Sequence, residues 1–142
     1  MIRFGIMGAG DIAKKFCAAV KKVPQAEVAA VSSKDLVRAM AFAEENGLTA
    51  YYDQYELMLQ REDIDAVYIA TTHNFHYENI LLALSYGKHV LCEKCMVLTA
   101  EEARTVFKTA KEKGLFVMEA MWSRFIPAMQ KAKKWIAEGL LG

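Results

Sequence analysis

The chain has 142 residues, 54% of them hydrophobic, and its 18 Lys and Arg residues are balanced by 17 Asp and Glu residues. This length suits one domain with a packed core. The balanced charge argues against nucleic acid and anionic membranes as partners, because they would meet no broad positive surface, and no apolar run approaches the about 20 residues of a membrane span.

Short apolar runs alternate with amphipathic stretches along the chain. In chain order, we expect strands at residues 2–7, 27–32, 49–52, 66–70, 88–92 and 115–119. Helices are expected at residues 11–22 and 35–46, from Asp53, at residues 74–86, from Thr99 to Gly114, and from Pro127 to Gly139. The strands are continuously apolar, which is typical of parallel strands covered on both faces. The pattern predicts an α/β fold, a doubly wound parallel sheet of the Rossmann kind with three α/β/α layers.

Local signals mark the ends of several helices. Asp53 with Glu56, and Thr99 with Glu102, predict capping boxes, in which two side chains satisfy free backbone N–H groups at a helix start. The glycines expected to end helices are Gly47, Gly87 and Gly114.

The segment GAGDIA, at residues 8–13, follows the first predicted strand and opens the first helix. This G-x-G-x-x-A form is typical of dinucleotide-binding turns. Gly8 permits the tight turn, Gly10 lets a pyrophosphate approach the backbone, and Ala13 lets the helix pack closely on the strand. The N–H groups and the dipole at the helix start favour phosphate, whereas Asp11 is expected to point away from it. A plain tight turn is the alternative interpretation.

The residues after the second predicted strand indicate which cofactor is preferred. NAD-binding turns carry an Asp or Glu there to bind the ribose hydroxyls. Here Ser33 and Lys34 follow the strand, and Asp35 lies one step into the next helix. Ser33 can donate a hydrogen bond, and Lys34 and Arg38, on the same helical side, can pair with a 2′-phosphate. The sequence favours NADP over NAD, and a merely solvated helix face is the alternative.

The cysteines and histidines predict no metal site. Cys92 and Cys95 have the spacing of a redox pair or half a zinc site, but structural zinc needs about four ligands and only Cys17 remains. His73 and His76 could share a metal, yet no third ligand follows, so we expect them to line a polar cleft. An odd number of cysteines argues against a disulfide scaffold, and with no signal peptide expected it predicts a cytoplasmic protein.

Three further segments lie where buried strands end, the positions at which open α/β sheets bind ligands. They are YIATTHNFH at residues 68–76, GKHVLCEKCMVLT at residues 87–99 and VMEAMWSRFIP at residues 117–127. In order and spacing they resemble the glucose–fructose oxidoreductase / inositol dehydrogenase / MocA family, over the whole chain. EAMWSRF is most similar to the branch of dihydrodiol dehydrogenase and NADP-linked D-xylose dehydrogenase. The family's Glu-Lys-Pro signature is present as Glu93-Lys94-Cys95, without the proline.

The resemblance implies roles for the matching residues. Glu93 and Lys94 would be the catalytic pair beside the nicotinamide, with Lys94 contacting the reacting hydroxyl and tuning its proton transfer. Trp122 and Arg124 would border the nicotinamide and the junction between domains. The implied cofactor-binding residues are Gly8, Gly10, Asp11, Ile12 and Ala13 at the pyrophosphate, Ser33, Lys34 and Arg38 at the ribose phosphate, Thr71, Thr72, Asn74 and His76 along the cleft, and Glu93, Lys94, Trp122 and Arg124 near the nicotinamide.

The resemblance also implies a second α/β domain that supplies much of the substrate pocket, a catalytic His or Tyr and the oligomer interface. We expect residues 1–125 to form the Rossmann domain and residues 126–142 to be a connecting helix and the cut start of that missing domain. The chain is then the cofactor half of an NADP-dependent dehydrogenase acting on CH–OH groups of a sugar or diol by hydride transfer. We expect it to be catalytically incomplete and to form a homo-oligomer.

Two other functions stay open. A free-standing NADP(H)-binding sensor or regulatory module would carry the same turn, and a stop codon after Gly142 would favour it. Another Rossmann enzyme, such as a semialdehyde or homoserine dehydrogenase, would lack the Glu-Lys signature after the fifth strand.

Overall fold

The centre of the molecule is one parallel sheet, seen in a computed structural model that describes residues 1–140. Its strands are β1 (Ile2–Met7), β2 (Ala26–Ser32), β3 (Tyr51–Tyr52), β4 (Ala66–Ile69), β5 (His89–Cys92) and β6 (Val117–Glu119). They lie in the order β3-β2-β1-β4-β5-β6, and every neighbouring pair is parallel. The strand order reverses between β1 and β4, the switch point at which open α/β sheets bind ligands. The predicted Rossmann fold is confirmed.

In the described residues 1–140, six α-helices connect or follow the strands. They are α1 (Asp11–Val20), α2 (Leu36–Asn46), α3 (Tyr55–Leu59), α4 (His76–Ser85), α5 (Ala100–Lys113) and α6 (Pro127–Ala137). Short 3-10 turns at His73–Phe75 and Trp122–Phe125 precede α4 and α6.

The pleat of the strands divides their buried side chains between two clusters. In β4, Val67 and Ile69 join the cluster that includes α3, α4 and α5, whereas Tyr68 joins the cluster that includes α1 and α2. The central strands are therefore covered on both faces, which explains their continuous apolar sequences. The predicted three layers are confirmed.

Several helix ends follow from local chemistry as predicted. The Thr99 hydroxyl accepts a hydrogen bond from the Glu102 N–H at 3.1 Å, and the Glu102 carboxylate accepts from the Thr99 N–H at 3.2 Å. Gly47 and Gly114 end α2 and α5 in the left-handed conformation, with φ of 73° and 66°. Glycine adopts this conformation without steric cost, so both predictions are confirmed.

The start of α3 differs from the prediction. The capping box expected at Asp53 and Glu56 is wrong, because the helix begins at Tyr55 and no side chain in the described part of the chain caps it. The backbone leaving β3 stays extended at Gln54, with φ −121° and ψ 130°, so the helix starts two residues late. The helix expected at residues 74–86 is also divided, since its first turn is a 3-10 turn and the α-helix starts afterwards.

The last helix, α6, is the least packed. Pro127 occupies its first turn, as predicted, but none of its residues is buried. Met129 and Ile136 of the predicted apolar stripe are 48% and 62% exposed. Of the segment GLLG at residues 139–142, the last two residues lie outside the described part of the chain. Within residues 1–140, no helix is long and apolar enough to cross a membrane.

A buried lysine joins the segment before β4 to the start of β5. Lys88 is 8% exposed, and its ammonium donates to the carbonyl oxygens of Arg61 at 2.7 Å and Ile64 at 2.8 Å. Burying a charged ammonium is costly unless it is hydrogen-bonded, as the ammonium of Lys88 is here. The prediction included Lys88 in the fifth strand, whereas β5 starts at His89, so Lys88 is the residue just before the strand.

Replacing Lys88 with Met retains most of the aliphatic stem but removes the donor that both carbonyl groups use. We expect Lys88→Met to lower the free energy of unfolding by about 1–3 kcal/mol, as measured by urea denaturation. Lys108→Met is the matched control, since Lys108 is exposed and has only a 3.9 Å ion pair with Glu112. Its expected effect is below about 0.5 kcal/mol. Equal unfolding midpoints for Lys88→Met and the unchanged chain would contradict the role given to Lys88.

Candidate functional site

The turn between β1 and α1 presents an open helix start. Gly8 has φ +101°, and a Cβ there would lie 2.8 Å from the carbonyl oxygen of Ala70, so only glycine fits. Among the atoms of residues 1–140, a Cβ on Gly10 would meet none within 4 Å, and no side chain of these residues caps α1. N–H groups at an uncapped helix start bind anions well because the helix dipole adds to their charge.

The other residues of this turn take different positions. Ala13 is fully buried, which lets α1 lie close to the sheet. Asp11 and Ile12 are exposed, and Asp11 lies in the first helical turn, where a carboxylate complements the dipole. The geometry therefore offers backbone rather than side-chain contacts to an anion.

Two cations, Lys34 and Arg38, lie between the end of β2 and the first turn of α2, together with the carboxylate of Asp35, which caps that helix. Ser33 is buried, and its hydroxyl accepts from the Asp35 N–H at 3.4 Å. Asp35 is the N-cap of α2, and its side chain accepts from the Arg38 N–H at 3.1 Å. Asp35 therefore precedes the helix instead of starting it, and its carboxylate is engaged. Lys34 and Arg38 are exposed, with the Lys34 ammonium 4.8 Å from the centroid of the Phe75 ring.

The turn after β4 is fixed by His76. This side chain is 1% exposed, with Nε2 3.0 Å from the Thr71 carbonyl oxygen and Nδ1 2.7 Å from the Cys95 carbonyl oxygen. Of the cleft residues predicted here, Thr72 and Asn74 are exposed, whereas His76 is turned into the protein. His76 therefore ties the turn after β4 to the turn after β5.

The turn after β5 holds the predicted catalytic pair. The Tyr68 hydroxyl donates to Glu93 Oε1 at 2.5 Å, and the Lys94 N–H donates to Glu93 Oε2 at 3.2 Å. Burial, with the hydrogen bond to Glu93, raises the pKa of Tyr68 well above its usual value, so the hydroxyl stays a donor. The Phe16 ring stacks on Tyr68 with centroids 3.8 Å apart. Lys94 is exposed, and the Lys94–Cys95 peptide bond is cis.

The last two predicted site residues, Trp122 and Arg124, line two different cavities. Trp122 and Glu93 line an apolar recess of about 320 Å³, together with Ile12 and Tyr68. Arg124 lines a larger cavity of about 740 Å³ between β6, α5 and α6. The structure therefore brings Trp122 to Glu93 and places Arg124 on the other cavity.

Within residues 1–140, the six strands run in the same direction, so the turns after β1, β2, β4 and β5, which carry most of the predicted site residues, lie at one edge of the sheet. Sequence reasoning missed Phe75 beside Lys34 and Tyr68 beneath Glu93. Phe75 could have been found from the sequence, because it is a large aromatic residue inside the polar turn at residues 71–76. Tyr68 looked like an ordinary strand residue and carried no such signal.

The thiols of the Cys92-x-x-Cys95 motif lie in different surroundings. Cys92 is buried, and burial raises its pKa far above that of a free thiol. Burial likewise raises the pKa of Cys17 to about 11, whereas Cys95 is exposed. Among residues 1–140, no group of three His, Cys, Asp or Glu side chains could hold a metal ion.

Comparison with known proteins assigns the chain to a family. Residues 2–121 match the model of GFO_IDH_MocA, an oxidoreductase family with an NAD-binding Rossmann fold, so the chain belongs to this family. It is 40% identical to trans-1,2-dihydrobenzene-1,2-diol dehydrogenase of Bos taurus, covering 99% of this chain and 43% of the bovine protein. It is 38% identical to D-xylose 1-dehydrogenase (NADP(+)) of Hypocrea jecorina, covering 99% of this chain and 39% of that protein.

A solved structure agrees with these relatives. KijD10, a 3-ketoreductase from Actinomadura kijaniata in complex with NADP and TDP-benzene, has a TM-score of 0.90 and 35% identity, covering 97% of this chain and 42% of KijD10. The predicted family and branch are confirmed, and the chain spans less than half the length of each of these three proteins.

The surroundings of the thiols predict one reactive cysteine. At about pH 8, an aromatic disulfide reagent should modify Cys95 quickly and Cys17 and Cys92 only after denaturation, because the buried thiols lack both access and thiolate character. Counting the released chromophore measures the number of reacted thiols. Cys95→Ser is the control and should abolish the fast phase. Two equally fast thiols in the folded chain would contradict the described burial of Cys17 and Cys92.

Proposed function

We propose that the chain is the NADP(H)-binding half of a dehydrogenase that transfers a hydride from a CH–OH group of a sugar or diol to the nicotinamide. The observation that carries this proposal is the open start of α1 at Gly10 beside the end of β2. Ser33 and Lys34 follow that strand, Arg38 lies in the first turn of α2, and the carboxylate of Asp35 caps this helix.

The open space at Gly10 is the evidence that a pyrophosphate would bind at the start of α1. With open space where its Cβ would be, a ligand can lie against the backbone and accept hydrogen bonds from the first turn of α1. Gly8 acts differently, since a side chain there would collide with Ala70 rather than with a ligand. The two glycines therefore serve binding and folding respectively.

The charges of Lys34 and Arg38 are the evidence for a 2′-phosphate site. Within the described residues, neither side chain forms an ion pair with a carboxylate, so both charges remain for a ligand. Ser33 adds a hydroxyl at the strand end. An acid at this position would repel the phosphate. Two proteins similar to this chain, the D-xylose dehydrogenase and KijD10, are described with NADP, which agrees with this choice of cofactor.

Glu93 and Lys94 support the chemistry at the other end of the cleft. The cofactor would supply the hydride acceptor there. Tyr68 and the Lys94 N–H both donate to the Glu93 carboxylate, which fixes it at the recess lined by Trp122. The exposed Lys94 ammonium would donate a hydrogen bond to the substrate hydroxyl oxygen and stabilise the negative charge that develops there, while the His or Tyr expected in the second domain takes the proton. Trp122 would shield the reacting atoms from water.

The remainder of the active site would be supplied by a second domain. Residues 1–125 would form the Rossmann domain, and residues 126–142 would connect it to that domain, in line with the 43% coverage of the bovine relative. The unburied α6 would pack on that second domain, or on another copy in a homo-oligomer.

Sedimentation velocity would then show a dimer of this chain, and a monomer at high concentration would contradict self-association.

The test of the cofactor proposal is a calorimetric titration of the chain with NADPH and, separately, with NADH. We expect tighter binding of NADPH, because only NADPH carries the phosphate that Lys34 and Arg38 can pair with. Arg38→Ala should reduce NADPH affinity and leave NADH affinity unchanged. Without its second domain, the chain should bind nucleotide but not oxidise sugars.

Gly10→Asp is a sharp companion variant for this titration. Asp is a favoured N-cap and the extended backbone of Gly10, with φ −103°, accepts it, so stability should be kept or raised. Its carboxylate would repel a pyrophosphate, so binding of both nucleotides should fall at least about tenfold. Undiminished NADPH binding by Gly10→Asp would contradict the pyrophosphate position, and equal affinities for NADPH and NADH would contradict the 2′-phosphate position.

A further inference from the structure

Lys34 and Phe75 meet although they belong to different turns of the molecule. Lys34 follows β2, and Phe75 ends the 3-10 turn that follows β4. The Lys34 ammonium lies 4.8 Å from the centre of the Phe75 ring, within the distance at which a cation is attracted to an aromatic face. The pair therefore joins the two sides of the switch point between β1 and β4.

Core packing does not account for Phe75. Its ring is 41% exposed and belongs to neither buried cluster of the described residues. Its backbone is nevertheless well fixed, because the Phe75 N–H donates to the Thr72 carbonyl oxygen at 3.0 Å and the next residue, His76, is buried. An exposed ring on a fixed backbone can hold a flexible side chain from outside the core.

Lys34 has a flexible side chain whose position such a ring can restrict. Lysine has a flexible stem with four carbons, and its rotamer freedom is lost when the ammonium binds a ligand. In the described part of the chain, Lys34 pairs with no carboxylate that would fix it instead. A contact that restrains Lys34 before the ligand arrives lowers the entropic cost of binding.

We propose that Phe75 is a positioning residue for selectivity between NADPH and NADH. The ring restrains the ammonium of Lys34, a residue that lies between Ser33 and the N-cap of α2, where a 2′-phosphate is proposed to bind. This inference rests on the proposed function, since it concerns the same nucleotide. It assigns to Phe75 an effect on NADPH alone, because NADH has no 2′-phosphate for Lys34 to meet.

The test is a titration of Phe75→Leu with NADPH and NADH. Leucine keeps an apolar side chain of similar reach but lacks the aromatic face. We expect about two- to fivefold weaker NADPH binding and unchanged NADH binding. In a Lys34→Ala background, Phe75→Leu should have no further effect on NADPH affinity, because the two residues act through one contact. Phe116→Leu, at an exposed phenylalanine just before β6, is the control and should change neither affinity.

A second measurement needs no nucleotide. In the proton NMR spectrum, the ring current of Phe75 should shift the Lys34 ε-methylene signal upfield, and Phe75→Leu should return it to an ordinary position. An unshifted signal in the unchanged chain would overturn the inference, whatever the nucleotide titration shows.

The titration outcomes separate the inference from the proposed function. If the unchanged chain binds neither nucleotide, the proposed function fails and the inference fails with it. If the unchanged chain prefers NADPH and Phe75→Leu matches it or binds NADPH more tightly, only the inference fails. Equal losses for NADPH and NADH would also overturn it, because the ring would then contact a part that both nucleotides share.

Discussion

The close approach of Gly8 to the end of β4 is the constraint on which the site depends. The Gly8 N–H donates to the Ser32 carbonyl oxygen at 2.8 Å, and the Ala70 N–H donates to the Met7 carbonyl oxygen at 2.8 Å. The turn is thereby held by strands on both sides, with no room for a side chain at Gly8. Because the turn is fixed, α1 starts at the switch point of the sheet, at the same edge as the ends of β2, β4 and β5.

Buried polar contacts support the exposed charges of the site. His76 links the turns after β4 and β5, and Tyr68 holds the Glu93 carboxylate beside Lys94. Each of these supports is largely removed from water, where hydrogen bonds are strong and an unpaired polar group would be costly. The exposed Lys94 therefore extends from a turn that is held by the hydrogen bonds of Glu93 and by the contact of His76 with Cys95.

The sequence predicted the fold and the edge at which the site lies more fully than it predicted side-chain directions. The glycine turn, the strand ends and the family signature were sufficient to place Glu93 and Trp122 together. They were insufficient for His76, which was expected in the cleft and is buried, and for Arg124, which lies on the other cavity. A signature fixes the position of a residue along a strand end, whereas the direction of its side chain depends on what packs around it.

The sequence by itself determined the features that rest on local chemistry. Gly47 and Gly114 end helices because only a few neighbouring dihedral angles are involved, and the Thr99 capping box needs only one helical turn. Tertiary structure alone decided contacts such as Lys34 with Phe75. These residues lie in turns that are distant along the chain, and they meet only because the strand order places β2 and β4 on either side of β1.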